Sequence, residues 1–238
     1  MPWRFWLLAL CCWPLLLWQG KRVRALALRL PEASGERAGL MGQGPQQQLL
    51  ICGDSAAAGV GCDNQQQALS SQLVELLSKQ AGIHWRLQAQ TGINSAELRQ
   101  RLQELEAQRL DWVIVSIGVN DVTGLCSDRQ FSVRIHALMQ VINQRFSTPN
   151  VIFSAIPPMQ QFSALPTPLN YWLGLKASQL NRQLVRTLDA WPNARLLSSG
   201  VKLTPDMLAK DGFHPSVTGA KHWASLIAAE IQQLHHSK

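Results

Sequence analysis

The chain has 238 residues, of which 46% are hydrophobic and 16% charged, and this composition excludes a disordered or collagen-like protein. The length allows one sizeable globular core with a short appendage and is too small for two large domains. The formal net charge of +7 belongs mostly to the amino end, since residues 1–40 contribute +4, and the body of the chain has no run of basic residues that would predict nucleic acid as a partner.

The amino end contains an uncharged apolar segment, residues 5–20. As a helix it would extend about 24 Å, which is shorter than a bilayer hydrocarbon core of about 30 Å. Four of the nine tryptophans lie in or beside it, namely Trp3, Trp6, Trp13 and Trp18. Because tryptophan favours the membrane interface, we expect residues 1–30 to be a hydrophobic signal or anchor segment that associates the protein with a membrane.

Basic residues flank this segment unequally. Arg4 precedes it, and four others follow it: Lys21, Arg22, Arg24 and Arg29. If the segment integrates into a membrane, this asymmetry favours a cytoplasmic position for the rest of the chain. Two alternatives stay open. One is export with cleavage near the small-residue site Ala25-Leu26-Ala27, and the other is a buried amino-terminal helix.

Residues 31–47 predict a flexible linker, and residues 48–238 predict a single domain in which short apolar runs alternate with helical patterns. The predicted strands cover residues 49–52, 83–89, 112–117, 151–153 and 195–197. The predicted helices cover residues 66–80, 95–110, 128–146, 171–190 and 216–234. This alternation implies a five-stranded parallel sheet with helices on both faces, because right-handed crossovers require a helix between parallel strands.

Polar motifs follow three of the predicted strands and precede the last helix. They are Gly53-Asp54-Ser55, residues 90–94 (QTGIN), residues 118–121 (GVND) and residues 211–215 (DGFHP). In parallel sheets, ligands bind beyond the carboxyl ends of the strands, so all four motifs are expected at one edge. Each motif alone is typical of a turn, a helix cap or a surface ion pair. Their joint occurrence at one edge of the sheet is what indicates a catalytic site.

The residue types in these motifs fill each role in nucleophilic catalysis once. A serine hydroxyl needs an adjacent base, which His214 can supply to Ser55. Asp211, three residues before the histidine, can bond Nδ1 of its ring and leave Nε2 for the serine. The backbone N–H groups of Ser55 and Gly92 and the side-chain amide of Asn120 are candidate donors to an oxyanion.

These motifs resemble those of the SGNH hydrolases in the GDSL esterase and lipase superfamily, over about residues 48–235. Ser55 matches the first block, Gly92 the second, Asn120 the third, and Asp211 with His214 the last. The resemblance implies a three-layer α/β/α sandwich of the flavodoxin-like, SGNH hydrolase type. It also implies ester hydrolysis through an acyl-enzyme, an oxyanion hole formed by Ser55, Gly92 and Asn120, and no metal or organic cofactor.

The first block departs from the fuller family pattern, because Ala56 stands where leucine or isoleucine often follows the serine. The substrate preferences of the family therefore do not transfer. We interpret Asp54 and Asp121 as loop stabilisers. His84, His136 and His222 lack partners at metal-ligand spacing, and we expect solvated or core roles for them.

Two further features are left with open alternatives. Cys62 and Cys126 belong to loops on the expected active-site face, and a disulfide between them would indicate an oxidising compartment, against the charge asymmetry of the amino end. The Pro-rich apolar segment of residues 156–169 is either a loop packed on the sheet edge or a wall or lid for an acyl group.

We therefore predict a membrane-tethered serine esterase that hydrolyses carboxylic esters, with lipid-like or other acyl ester substrates of the lysophospholipase or thioesterase kind. One alternative is a carbohydrate O-deacetylase, and another is a non-catalytic binding domain with the same fold. The expected partners are a small-molecule or lipid ester and a membrane. The oligomeric state stays open.

Overall fold

A computed structural model of the protein describes residues 3–197 and 203–236, and its central feature is a six-stranded sheet. The strands are β1 (Ala38–Met41), β2 (Gln46–Gly53), β3 (Gly82–Ala89), β4 (Trp112–Ser116), β5 (Asn150–Ser154) and β6 (Ala194–Leu197). Their spatial order is β1-β3-β2-β4-β5-β6. Strands β2 to β6 pair in parallel, so the predicted α/β fold with a five-stranded parallel arrangement is confirmed for them.

Helices cover both faces of this sheet. Their bounds are α1 (Trp3–Leu26), α2 (Leu69–Leu77), α3 (Ser95–Glu104), α4 (Val119–Thr123), α5 (Asp128–Arg145), α6 (Leu169–Leu188) and α7 (Val217–His236). Helices α2 and α7 pack together on one face, whereas α3, α5 and α6 pack on the other. The result is the three-layer α/β/α sandwich that the resemblance implied.

The central strands are apolar on both faces because each face carries its own core. In β2, Leu50 and Cys52 contribute to the core beneath α3, α5 and α6, and Leu49 and Ile51 contribute to the core beneath α2 and α7. Successive side chains of a strand point to opposite faces, so a continuous apolar run is what a doubly covered parallel strand requires.

The segment expected to be a flexible linker, residues 31–47, instead contributes part of the sheet. It forms β1, which pairs antiparallel with β3 and makes the sheet mixed, and it includes the first residues of β2. All four residues of β1 are exposed, so the strand has no apolar alternation from which it could be predicted. Its pairing uses backbone groups at the edge of β3, which would otherwise present unpaired N–H and C=O groups.

Helix α1 lies against α6 along one stripe of residues. Phe5 and Leu16 are buried, and the ring of Phe5 stacks on that of Trp172 with centroids 4.9 Å apart. The buried side chain of Gln19 donates to the carbonyl oxygen of Thr167 at 2.8 Å and accepts from the backbone N–H of Leu169 at 3.2 Å. Over residues 3–197 and 203–236, no helix combines the length and the apolar character that crossing a membrane demands. Residues 1, 2, 237 and 238 of the expected segments lie outside the described chain.

The disulfide considered between Cys62 and Cys126 is not formed, and all five cysteines are free thiols. Cys62 packs in a small cluster with Ala33, Ala68 and Ala220, whereas Cys126 belongs to the core beneath α5 and α6. Burial raises the pKa of both thiols, to about 11 for Cys62. Each therefore behaves as a small buried hydrophobe.

Candidate active site

Ser55, His214 and Asp211 form one continuous chain of hydrogen bonds at the carboxyl end of the sheet. Nε2 of His214 lies 2.9 Å from Oγ of Ser55, and Nδ1 lies 2.6 Å from Oδ2 of Asp211. An ionised carboxylate only accepts hydrogen bonds, so Nδ1 carries the ring proton. Nε2 is then left to accept the hydrogen of the serine hydroxyl, which is the arrangement required of a general base.

The fold places Ser55 at the end of the strand from which the chain adds strands first on one side and then on the other. Its strand, β2, has β3 on one side and β4 on the other, and this is the switch point at which ligands bind in open α/β sheets. A Cβ at Gly53 would overlap the carbonyl oxygen of Ser116, so glycine permits the close approach by which the Asp54 N–H donates to that oxygen at 3.1 Å. The serine thus leaves the strand in a tight, well-defined turn.

The loop before α7 holds the histidine and its aspartate together. The Ala209 N–H donates to the carbonyl oxygen of His214 at 2.8 Å, which closes the loop. Oδ1 of Asp211 accepts the backbone N–H groups of Phe213 and His214, each at 3.0 Å. Burial raises the pKa of Asp211, but these hydrogen bonds and the one from the His214 ring outweigh it and hold the pKa below its ordinary value.

Two backbone donors in the loops that follow β2 and β3 are free to meet a ligand. Within the described residues, the N–H groups of Ser55 and Gly92 donate to no protein acceptor. Gly92 adopts a φ of +86°, a conformation that favours glycine, and the space where a Cβ would stand is open. Both groups are the backbone N–H donors that the sequence analysis singled out.

Asn120 lies at the start of α4 and contacts the loop that carries Gly92. Its Nδ2 donates one hydrogen to the carbonyl oxygen of Ile93 at 2.8 Å, which leaves the second hydrogen available. The neighbouring Asp121 is buried and accepts from the N–H and the hydroxyl of Ser95, at 3.0 and 2.7 Å. It also pairs with Arg134 at 2.9 Å. The motif of residues 118–121 is therefore hydrogen-bonded directly to the loop of residues 90–94.

Residues of the amino-terminal segment that were not predicted to belong to the site anchor the same loop. Oε1 of Glu32 accepts the Thr91 N–H at 2.6 Å, while Oε2 pairs with Arg37 at 3.0 Å. Arg37 in turn donates to the carbonyl oxygen of Ala89 at the end of β3. Nothing in the local sequence signals this role, because residues 31–47 have neither periodicity nor a motif.

Asp54 is the other carboxylate of the site, and it is nearly inaccessible to solvent. Its Oδ1 accepts the N–H of Ala56 at 3.2 Å. Burial raises its pKa to about 7, although the Ala56 hydrogen bond and the charge of His214 act in the opposite direction. In the part of the chain that the structure describes, Asp54 makes no direct hydrogen bond to His214. The imidazole is therefore oriented by Asp211.

An apolar cavity of about 150 Å³ opens beside Ser55, between the ends of β4 to β6 and helix α7. The segment of residues 156–169 lines the cavity through Ile156, Pro158 and Phe162, and α7 lines it through Trp223 and Leu226. Of the two interpretations of this segment, the placement favours a wall for a bound group. His222 also lines the cavity, and its Nε2 is buried without a hydrogen-bond partner.

Within residues 3–197 and 203–236, no group of three or more His, Cys, Asp or Glu side chains is arranged to hold a metal ion. Among the other histidines, His136 packs against Trp191 with ring centroids 5.1 Å apart, and His84 lies on β3. Of the predicted site residues, hydrogen bonds join Ser55, His214 and Asp211 to one another, and a separate hydrogen bond joins Asn120 to the loop of Gly92.

A serine hydroxyl bonded to an oriented histidine, with N–H donors beside it, is an arrangement suited to acyl transfer. Together with the mostly parallel sheet, it corresponds to the SGNH class of α/β hydrolases. The chain belongs to the GDSL-like lipase/acylhydrolase family, whose sequence profile matches residues 51–222.

Individual proteins that resemble this chain share only a quarter or less of their aligned residues with it. A GDSL-like esterase of Mycobacterium tuberculosis is 25% identical over 179 residues, which cover 71% of this chain and 56% of that protein, so the chain spans just over half of its relative's length. The structure of TesA is similar with a TM-score of 0.64 and 19% identity, covering 79% of this chain and 99% of TesA. Axe2, an acetylxylan esterase from Geobacillus stearothermophilus, has a TM-score of 0.57 and 20% identity, covering 80% and 95% of the two chains. At these identities the structures show a shared fold.

Proposed function

We propose that the protein is a serine esterase that cleaves carboxylic esters through an acyl-enzyme, with Ser55 as nucleophile. The observation that carries this proposal is the hydrogen-bond chain from Asp211 through His214 to Ser55, with lengths of 2.6 and 2.9 Å. Membership of the GDSL-like lipase/acylhydrolase family supports the reaction class.

In the first half of the reaction, Ser55 Oγ attacks the ester carbonyl carbon while Nε2 of His214 takes the hydroxyl proton. The tetrahedral intermediate collapses, the bond to the leaving oxygen breaks, and the imidazolium returns its proton to that oxygen. In the second half, water attacks the acyl-enzyme, again giving its proton to Nε2, and the carboxylic acid leaves as Ser55 is restored. Asp211 keeps the ring in the required tautomer and stabilises its charged form.

The oxyanion of each tetrahedral intermediate accepts hydrogen bonds from the N–H groups of Ser55 and Gly92 and from the amide of Asn120. These donors suit the role because they have no competing protein acceptor, or retain one hydrogen beyond the bond to Ile93. Donors held in place before the reaction cost no reorganisation when charge develops, and removing one typically costs about 10²–10³ in turnover.

The acyl group of the substrate occupies the cavity beside Ser55. An apolar cavity of about 150 Å³ is large enough for benzene, a molecule of six carbons. We therefore expect acyl chains of about six carbons to be held better than acetyl, because each buried methylene contributes roughly 0.8 kcal/mol. This favours acyl esters of the lipid-like or thioester kind over the alternative of a carbohydrate O-deacetylase.

The test combines active-site labelling with a series of nitrophenyl esters of increasing acyl length. A fluorophosphonate probe is expected to label the wild-type chain, and Ser55→Ala is expected to remove both labelling and ester hydrolysis. Ser71→Ala on α2 is the matched control, since this serine does not line the cavity beside Ser55. Equal activity of Ser55→Ala and Ser71→Ala would overturn the mechanism.

The remaining outcomes distinguish the alternatives. Maximal kcat/KM near six acyl carbons supports the cavity assignment, whereas a sharp preference for acetyl favours the O-deacetylase. Failure of the folded wild-type chain to react with the probe or with any ester favours a non-catalytic binding domain.

A further inference from the structure

Helix α1 carries an apolar surface that the rest of the protein does not cover. One stripe, including Phe5 and Leu16, packs on α6. Over residues 5–20 the remaining surface is also apolar, and it exposes seven large side chains: Trp6, Leu7, Leu10, Trp13, Leu15, Leu17 and Trp18. Leu10 is 83% exposed and Trp6 is 61% exposed. A contiguous exposed apolar surface of this kind marks an interaction site.

The charges that follow this surface indicate what covers it. Lys21, Arg22 and Arg29 are exposed, and the guanidinium of Arg22 lies over the ring of Trp18 at 5.1 Å. The first acidic residue of the chain is Glu32, so a second copy would bring the same positive charge without an acidic counterpart in this segment. Exposed tryptophans next to a cation cluster instead suit the headgroup region of an anionic bilayer.

The packing of α1 on the domain determines the orientation of the helix relative to such a bilayer. The Phe5–Trp172 stack near the amino end of the helix and the two hydrogen bonds of Gln19, almost four turns later, hold the helix along the side of the domain. We propose that α1 lies in the plane of an anionic membrane surface, with its seven exposed apolar side chains immersed and Lys21, Arg22 and Arg29 at the phosphates. The helix keeps its contact with α6 and does not span the bilayer.

This orientation has a consequence for the active site. A groove of about 840 Å³ runs between α1 and the loop of His214, and its lining includes Trp13, Leu17 and Leu165 together with the Asp211 and His214 pair. Docking of α1 therefore turns the groove toward the lipid, and an ester from the bilayer reaches the site without crossing water. This second step rests on the proposed esterase function, whereas the docking itself does not.

Vesicle flotation of the 238-residue chain, synthesised without cells in the presence of liposomes, tests the docking. We expect co-flotation with vesicles of phosphatidylcholine mixed with phosphatidylglycerol, and much less with phosphatidylcholine alone. The triple variant Lys21→Gln, Arg22→Gln, Arg29→Gln should weaken partitioning into the anionic vesicles about 100-fold, since each surface cation contributes about 1 kcal/mol.

The matched control removes the same charge from the opposite rim of the sheet. Lys79, Arg109 and Arg186 are exposed and precede the amino ends of β3, β4 and β6. Their replacement by glutamine should leave partitioning within a fewfold of wild type. Equal loss in both triple variants, or dimerisation of a chain that does not float, would overturn the docking.

Labelling with a membrane-impermeant maleimide distinguishes a helix that lies in the plane of the membrane surface from one that spans the bilayer. Cys11→Ser and Cys12→Ser remove the two cysteines of α1, and Arg4→Cys or Gly20→Cys then introduces one thiol at either end, position 20 having open space around it. Both ends should be labelled from outside the vesicles. Protection of either end would show a spanning helix.

Ser55→Ala separates failure of the docking from failure of the proposed function. It should float as the wild type does while losing ester hydrolysis. If the wild-type chain floats but has no esterase activity, the docking stands and the proposed function is rejected. If it hydrolyses soluble esters but does not float, the function stands and the docking is rejected.

Discussion

The amino-terminal segment makes a contribution to catalysis that can be tested at Glu32. This carboxylate accepts the Thr91 N–H at 2.6 Å and pairs with Arg37, and Thr91 directly precedes the proposed oxyanion donor Gly92. Burial raises the pKa of Glu32, but the Thr91 hydrogen bonds and the charge of Arg37 outweigh it and hold the pKa below its ordinary value. Glu32→Ala removes the anchor without touching the reacting groups.

The size of the effect follows from the exposure of the partners. A hydrogen bond to a charged group contributes about 1.5–3 kcal/mol, and a surface ion pair about 0–1 kcal/mol. Because the Arg37 and Glu32 side chains are 37% and 29% exposed, solvent screens both, and we expect the free energy of unfolding to fall by about 1–2 kcal/mol. The lowered pKa means that this contribution is present at neutral pH and is lost as the pH falls through the folded-state pKa.

The catalytic effect is expected to be larger than the effect on binding. Complete loss of an oxyanion donor costs about 10²–10³, so a displaced Gly92 should lower kcat by about tenfold. KM should change little, because the donor acts on the transition state. Glu32→Gln keeps an acceptor for the Thr91 N–H and should retain most of the activity.

Steady-state kinetics on a soluble ester and urea denaturation measure the two effects. Glu36→Ala is the matched control, since Glu36 is exposed in the same segment and its loss changes the charge equally. If Glu32→Ala loses stability as expected but retains the kcat of Glu36→Ala, the loop is not positioned by this carboxylate and the reasoning is wrong.

Three other substitutions test separate parts of the site. Asn120→Ala should lower kcat by about 10²–10³ with little change in KM, and an unchanged kcat would remove the amide from the oxyanion hole. The raised pKa of Asp54, about 7, means that the folded state retains a proton that the unfolded state releases above about pH 4. Stability is therefore lost as the pH rises between these values, and Asp54→Asn should be the more stable protein at pH 8, by a few kcal/mol in urea denaturation, with the difference closing near pH 4. A difference independent of pH would contradict this. Ala155→Leu adds three carbons at the wall of the cavity and should reduce the ratio of hexanoyl to acetyl ester kcat/KM about tenfold or more, whereas an unchanged ratio would place the acyl chain elsewhere.

Much of the parallel sheet could be predicted because its strands are buried on both faces. The run of residues 112–115 is apolar throughout, since alternate side chains enter the two cores. Parallel strands carry their carboxyl ends to one edge, which is why motifs far apart in the chain could be assigned to one site. Helix caps are equally local, and the side chain of Asn94 caps α3 by accepting the N–H groups of Ala96 and Glu97.

Other elements depend on partners that no local pattern encodes. Strand β1 exposes all of its side chains and exists because β3 offers a backbone edge. Helix α3 ends at Glu104, earlier than the polar and leucine-rich pattern predicts, because Leu105 turns extended and enters the core with Leu110. Cys62 and Cys126 lie on the expected face, yet they pack into different clusters.

The amino-acid sequence by itself determined the chemical groups, their order, and the sheet edge at which they meet, because these follow from periodicity and parallel topology. Only the tertiary structure decided that His214 reaches Ser55 at 2.9 Å, that Glu32 anchors the loop of Gly92, and that α1 rests on α6. Such distances result from the packing of every element at once. A short stretch of chain contains the preference for a turn or a strand, but not the position of the surface that it will meet.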